Sequence, residues 1–120
     1  MRPDNHLLAG SASLLVLSLL ASGDKYGYEM IAALEEKSDH TFTLKEGTLY
    51  PVLHSLEKAG AVTVYEQAAP TGRRRKYYRI TPRGRRLLEE KREQWHSFSA
   101  LVNAVVAEGA GAPLPAGGGI

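Results

Sequence analysis

The sequence of 120 residues contains no cysteine, a single tryptophan and two phenylalanines. The absence of cysteine excludes a disulfide framework and any metal site built on thiolates. It is compatible with the reducing cytoplasm, and we expect that location. A chain of this length has room for one domain rather than two. The hydrophobic share of 43% is ordinary for a globular protein.

The residue sets typical of enzymes are lacking as well. The sequence shows no glycine-rich phosphate loop, and no Ser/His/Asp set or carboxylate pair at a recognisable catalytic spacing. The four histidines are scattered along the chain, and their spacing does not match that of metal ligands. We therefore predict that the protein is not an enzyme and that it needs no cofactor and no metal.

The main apolar run extends from Leu14 to Leu20 and is shorter than the roughly 20 residues that span a bilayer. The segment before it has Arg2 and Asp4 instead of the basic start of a signal peptide. The run predicts a helix buried on more than one face, within a first helix from about His6 to Ala21. We expect no membrane partner.

Positive charge is concentrated in one segment. Ten of the fifteen basic residues, but only two acidic ones, lie in residues 67–92, although the formal net charge of the chain is only +2. Such an arginine-rich stripe is the electrostatic footprint of a polyanion partner. A solvated surface is the less specific alternative.

Hydrophobic periodicity predicts two helices after Gly23-Asp24. Tyr26 to Lys37 is the second helix of the chain. The third begins at Thr43, where Thr43 and Glu46 have the spacing of a capping box. Its apolar stripe of Leu49, Val52, Leu53 and Leu56 ends before Gly60, a stop residue. Pro51 lies inside this helix and should remove one hydrogen bond.

A β-hairpin and a long helix follow. Alternating residues predict strands at Ala61–Glu66 and Lys76–Ile80, joined by a turn that contains Pro70 and Gly72. Thr81 and Pro82 are typical of an N-cap and a first helical residue, and they begin a helix that extends to about Ala107. Its apolar residues recur in a pattern similar to that of a coiled coil.

This order of elements predicts a mainly α fold with a small β-hairpin: a winged helix-turn-helix with a long C-terminal dimerisation helix. The DNA-binding domain would span residues 1–81, the dimerisation helix residues 82–107 and a disordered tail residues 108–120. A helix about 10–12 Å across fits the major groove of DNA. We expect DNA contacts from the outward face of the third helix and from the hairpin: Lys45, Gly47, Thr48, Tyr50, Pro51, His54, Lys58, Arg73, Arg74, Arg75, Lys76 and Tyr77.

Three motifs resemble those of the PadR family of transcriptional regulators. They are Tyr26-Gly27-Tyr28-Glu29, then Gly47-Thr48-Leu49-Tyr50-Pro51 with Leu56-Glu57-Lys58-Ala59-Gly60, and finally Gly72 to Thr81. The resemblance covers about residues 7 to 106, and the chain has room only for the short subfamily with a single C-terminal helix. It implies a homodimeric repressor of a double-stranded DNA operator.

The resemblance also implies a dimer interface built by the first and last helices, with candidates Leu14, Leu17, Leu88, Trp95, Phe98, Val102 and Val105. Some relatives in this subfamily bind flat aromatic molecules between two tryptophans, one from each chain. Two Trp95 indoles could hold a planar aromatic effector in this way, with candidate neighbours Gly10, Leu14, Lys91 and Ser99. Trp95 as a packing anchor is an equal alternative, and Lys91 would repel a cationic ligand.

A second class of function stays open at this point. The chain could be a dimeric protein-interaction module whose basic hairpin binds an acidic partner. Sequence-specific binding of DNA separates the two classes.

Overall fold

The computed structural model describes Leu8 and residues 10–109. In chain order the described residues form α1 (Ala12–Ala21), β1 (Lys25–Tyr26), α2 (Gly27–Lys37), α3 (Glu46–Lys58), β2 (Val62–Ala68), β3 (Arg74–Ile80) and α4 (Pro82–Gly109). The predicted tail, apart from its first two residues, lies outside the described residues, as do most of the residues predicted to begin the first helix. The mainly α architecture with a small sheet is confirmed.

The hairpin is part of a three-stranded antiparallel sheet. The strand order is β1-β3-β2, with Val64 opposite Tyr78 and Tyr26 opposite Tyr77. Both hairpin strands reach further toward the turn than predicted, so that the turn shortens to the residues between Ala68 and Arg74. The strand β1 was not predicted, because two residues are too few to show an alternating pattern. Tyr26, assigned to the second helix from sequence, belongs to this strand.

The third helix begins later than the predicted start at Thr43. It begins at Glu46, after Lys45, and no side chain caps it. Leu44 is almost completely buried, so the chain enters the core in a non-helical conformation before the helix can begin. Burial of this leucine outweighs the local capping pattern.

The end of α3 and the start of α4 confirm the predicted signals. Gly60 has φ +76° and donates to Glu57 O, while Ala61 N donates to Leu56 O, a Schellman motif. The Thr81 hydroxyl accepts from Gly84 N at 2.9 Å and donates to Gly60 O at 2.7 Å. Thr81 therefore caps α4 and also ties it to the end of α3.

The core is built by one face of each element up to the start of α4. Its fully buried large side chains are Val16, Leu17, Leu20, Met30, Leu44, Leu49, Leu53 and Val62. Two predicted members of a dimer interface need correction, because Leu17 and Leu88 lie in this core and are 0% and 3% exposed. Side chains that the chain itself covers cannot contact a partner.

The described chain divides into two compact units, one up to Glu89 and one from Glu90 onward. The first unit holds the sheet, α1 to α3 and the first turns of α4. The second is the remainder of α4, which continues to Gly109, two residues beyond the predicted end. No helix in the described part of the chain is both long enough and apolar enough to cross a membrane.

Candidate nucleic-acid interface

The outward face of α3 presents most of the residues predicted to contact DNA. Lys45, Gly47, Pro51, His54 and Lys58 are exposed, and Thr48 is half-buried. The apolar stripe on the opposite face, with Leu49, Leu53 and Leu56 buried, fixes this orientation. The helix passes through Pro51 without interruption.

Tyr50 does not lie free on this face, contrary to the expectation that it is exposed. It is half-buried and packs against the core. Its hydroxyl lies so close to Gly27 that a Cβ at that position would overlap it. The tyrosine therefore joins α3 to the start of α2, and its ring lines a groove that also contains Tyr26, Tyr28 and Leu44.

The wing, defined here as β2, β3 and the turn between them (Val62–Ile80), carries the cluster of basic residues. Ala69 N donates to Arg73 O and Gly72 N donates to Ala69 O, which closes the turn. Gly72 has φ +89°, a backbone conformation that favours glycine. Arg73 follows directly and is exposed, as are Arg74 and Lys76.

Not all of these cations are equally available to a partner. The Arg74 guanidinium bonds Glu66 at 2.8 Å. Arg75 is half-buried, with its guanidinium carbon 4.4 Å from the centre of the Tyr26 ring. Among residues 10–109, Arg73 and Lys76 form no ion pair. The wing therefore offers Arg73 and Lys76 as its most available positive charges.

A polar network at the base of the wing was missed by sequence reasoning. One carboxylate oxygen of Asp24 accepts from the Tyr65 hydroxyl at 2.7 Å and from Arg79 Nη2 at 2.8 Å. The hydrogen bond from Arg79, then that from Tyr65, lowers the pKa of Asp24 below its ordinary 3.8. The bond to Asp24 in turn raises the pKa of Tyr65. The only signal in the sequence was the alternation along β3, which places Tyr77 and Arg79 on the face of the sheet opposite Tyr78 and Ile80.

The second unit presents an apolar stripe along α4. Trp95, Phe98 and Val105 are 50%, 61% and 72% exposed, and Leu101, Val102 and Val106 are exposed beside them. Ser99 is half-buried and donates to His96 O at 3.2 Å, and Lys91 is half-buried. The two effector candidates in the first unit differ: Gly10 is exposed, whereas Leu14 packs against the core.

Three helices, a sheet and a hairpin with a basic tip define the winged helix-turn-helix class of DNA-binding folds. The model of the family described as "Transcriptional regulator PadR-like family" matches residues 16–90. The chain belongs to this family of transcriptional regulators. It is accordingly a DNA-binding regulator and not an enzyme.

Solved structures and a curated relative agree with this family assignment. A transcriptional regulator from Clostridium thermocellum superposes with a TM-score of 0.78 at 37% identity, covering 84% of this chain and 98% of that one. A PadR family regulator from Eggerthella lenta gives 0.73 at 34% identity, covering 84% and 86%. The Escherichia coli transcriptional regulator YqjI is 33% identical over 95 residues, which cover 79% of this chain and 44% of YqjI. The chain thus spans less than half of that regulator.

Proposed function

We propose that the protein is a homodimeric repressor that binds a specific operator through α3 and the wing. The observation that carries this proposal is the exposed basic tip of the wing in the same compact unit as the exposed polar face of α3. The helix would place Thr48 and His54 against base edges in the major groove. The wing would bind phosphates through Arg73 and Lys76. Such a repressor would act in the cytoplasm, on chromosomal DNA.

Homodimerisation is the second part of the proposal, and the stripe on α4 supports it. Large apolar side chains in a continuous exposed row are typical of an interface between proteins. Trp95, Phe98, Val102 and Val105 follow the spacing of a helical seam. A second copy of the chain is the partner that this seam fits. Two DNA-binding units would then lie about 34 Å apart on successive major-groove faces.

A charge placed on the seam tests this interface. Phe98→Glu should convert a dimer to a monomer in sedimentation velocity, because an unpaired carboxylate would be buried in an apolar contact. Ala100→Glu is the matched control, since Ala100 is exposed on the other side of the same helix. If the dimer persists in Phe98→Glu, or is lost in both variants, the seam is not the dimer interface.

Release by a small planar aromatic effector is the third part. Trp95 is half-exposed on the seam, and two indoles across a dimer axis can stack on a flat molecule. An effector that favours a different spacing of the two DNA-binding units would release the operator. Trp95 is the single tryptophan, so its fluorescence reports binding directly. Quenching by planar dyes, absent in Phe98→Glu, supports the site, whereas no response to a panel of cationic, neutral and anionic dyes refutes it.

Operator binding and repression have a direct test. A gel shift with the DNA upstream of the gene should show a retarded complex that weakens steeply with salt. A reporter driven by that DNA should be silenced by the protein, whereas activation would contradict the repressor role. If only an acidic protein, and no DNA, binds the wing, the chain is an interaction module instead.

A further inference from the structure

The sheet has an outer face, opposite the core, on which aromatic and guanidinium groups stack in a continuous row. The rings of Tyr65 and Tyr77 are 5.6 Å apart and nearly parallel, and Tyr77 meets Tyr26 edge-on at 5.4 Å. Arg79 lies 5.0 Å from the Tyr65 ring and Arg75 lies 4.4 Å from the Tyr26 ring. The row therefore connects both strands of the wing with β1.

Arg75 and Arg73, two residues apart on the wing, differ in their contacts with this row of rings. The Arg75 guanidinium lies over the ring of Tyr26, and cation–π attraction holds it there. Arg73 is exposed just after the turn and, among residues 10–109, forms no ion pair. The two arginines carry the same charge on the same wing but have different surroundings.

Tyr26 connects the wing to α3. It belongs to β1 and immediately precedes α2, and the Glu29 carboxylate accepts a hydrogen bond from its backbone N–H at 3.1 Å. The next residue, Gly27, lies directly against the Tyr50 hydroxyl of α3. A series of contacts thus leads from Arg75 through Tyr26 and Gly27 to Tyr50.

We propose that Arg75 is a positioning residue, which holds the wing at a fixed angle to α3 by stacking on Tyr26, and that Arg73 is the arginine that binds phosphate. This inference rests on the proposed operator binding. In this proposal the Arg75 guanidinium stays over the Tyr26 ring when DNA binds and meets no phosphate, so it adds no counterion release of its own. It acts on DNA through the geometry of the wing.

The dependence of affinity on salt separates these roles, because its slope counts the phosphates that a protein neutralises. We would measure operator affinity by fluorescence anisotropy from 50 to 300 mM salt for wild type, Arg73→Gln and Arg75→Gln. Each variant loses one charge per chain, so general effects of net charge are matched. Arg73→Gln should reduce the slope by about 0.9 for each wing in contact with DNA. Arg75→Gln should weaken binding about threefold to tenfold at every salt concentration, with the wild-type slope.

The partner ring supplies the second measurement. Tyr26→Phe keeps the aromatic face and should bind as wild type does. Tyr26→Leu removes that face and should reproduce the loss of operator affinity seen in Arg75→Gln. The double variant that carries both substitutions should lose no further affinity. If Tyr26→Leu does not fold, the comparison of Arg73→Gln with Arg75→Gln still decides.

Several results would overturn the inference. An equal fall in slope for Arg73→Gln and Arg75→Gln would make both arginines phosphate ligands. Unchanged affinity in Arg75→Gln would mean that the stack positions nothing. Additive losses of affinity in the double variant would mean that Arg75 and Tyr26 act independently. Failure of the proposed function has a different signature, since wild type would then bind the operator no better than scrambled DNA.

Discussion

Replacing Gly84 by alanine should destabilise the protein, although alanine normally stabilises a helix relative to glycine. Gly84 is buried near the start of α4. A Cβ at this position would overlap the carbonyl oxygen of Ala61 and lie 2.7 Å from Ile80 Cγ1. The Ala61 oxygen also accepts a hydrogen bond from Thr81 N at 3.0 Å. The obstacle is therefore hydrogen-bonded backbone, which cannot move aside without breaking the tie at the start of α4.

The sign of the effect follows from two opposing magnitudes. Overpacking a tight site costs about 1–3 kcal/mol, whereas alanine gains up to about 1 kcal/mol over glycine in a helix. Because the obstacle is rigid backbone, we take the upper half of the first range and expect a net loss of about 1–2 kcal/mol. For a domain of this size that loss lowers Tm by about 5–15 °C.

The matched control is Gly47→Ala, in the first turn of α3. A Cβ there meets nothing within 4 Å, so the ordinary preference for alanine should leave Tm unchanged or raise it slightly. Thermal unfolding followed by circular dichroism, at equal protein concentrations, measures both variants. If Gly84→Ala raises Tm as Gly47→Ala does, α4 does not pack closely against Ala61 and Ile80.

Three further predictions concern other parts of the first unit. Gly47→Ala should weaken operator binding while the protein stays folded, because the added methyl group lies where the backbone would approach a phosphate. Undiminished affinity in an anisotropy titration would count against that approach. Leu17→Ala should lower the free energy of unfolding by about 3–5 kcal/mol in urea titrations, since Leu17 has no exposed surface, and it should leave the folded protein's oligomeric state unchanged in sedimentation velocity. Asp24→Asn should lower Tm at neutral pH, because the depressed pKa of Asp24 means that its ionised form stabilises the fold. That stabilisation is complete above the ordinary pKa of 3.8 and is lost as the pH falls through the lower folded value, so the two proteins should converge in acid; a constant difference down to pH 2 would contradict the role of the ion pair.

The parts of the fold that local patterns determine were predictable. The stop at Gly60 and the cap at Thr81 depend on a few neighbouring residues. The strand residues predicted to share one face, Val62 with Val64 and Tyr78 with Ile80, pack in or against the core. The start of α3 was not predictable from its capping pattern, because burial of Leu44 is a tertiary effect. The two-residue strand β1 exists only through its pairing with β3.

The candidate site was predictable to a similar degree. The basic tip and the outward face of α3 follow from charge and periodicity, and Arg73, His54 and Lys58 are exposed there. Their contact with DNA stays a prediction. The different surroundings of Arg73 and Arg75 were not predictable, since they depend on Tyr26 reaching the sheet from 49 residues earlier in the chain. Tyr50 was assigned to the wrong environment for the same reason, because its contact is with Gly27.

Discrimination between operator and unrelated DNA tests the central claim most directly. Anisotropy titrations at 150 mM salt would compare the DNA upstream of the gene with the same bases in scrambled order. We expect the upstream fragment to bind at least about a thousandfold more tightly, with His54→Ala and Thr48→Ala reducing that ratio and Arg73→Gln weakening both complexes alike. Equal affinity for the two DNAs, or binding to neither at low salt, would contradict recognition by α3 and the wing.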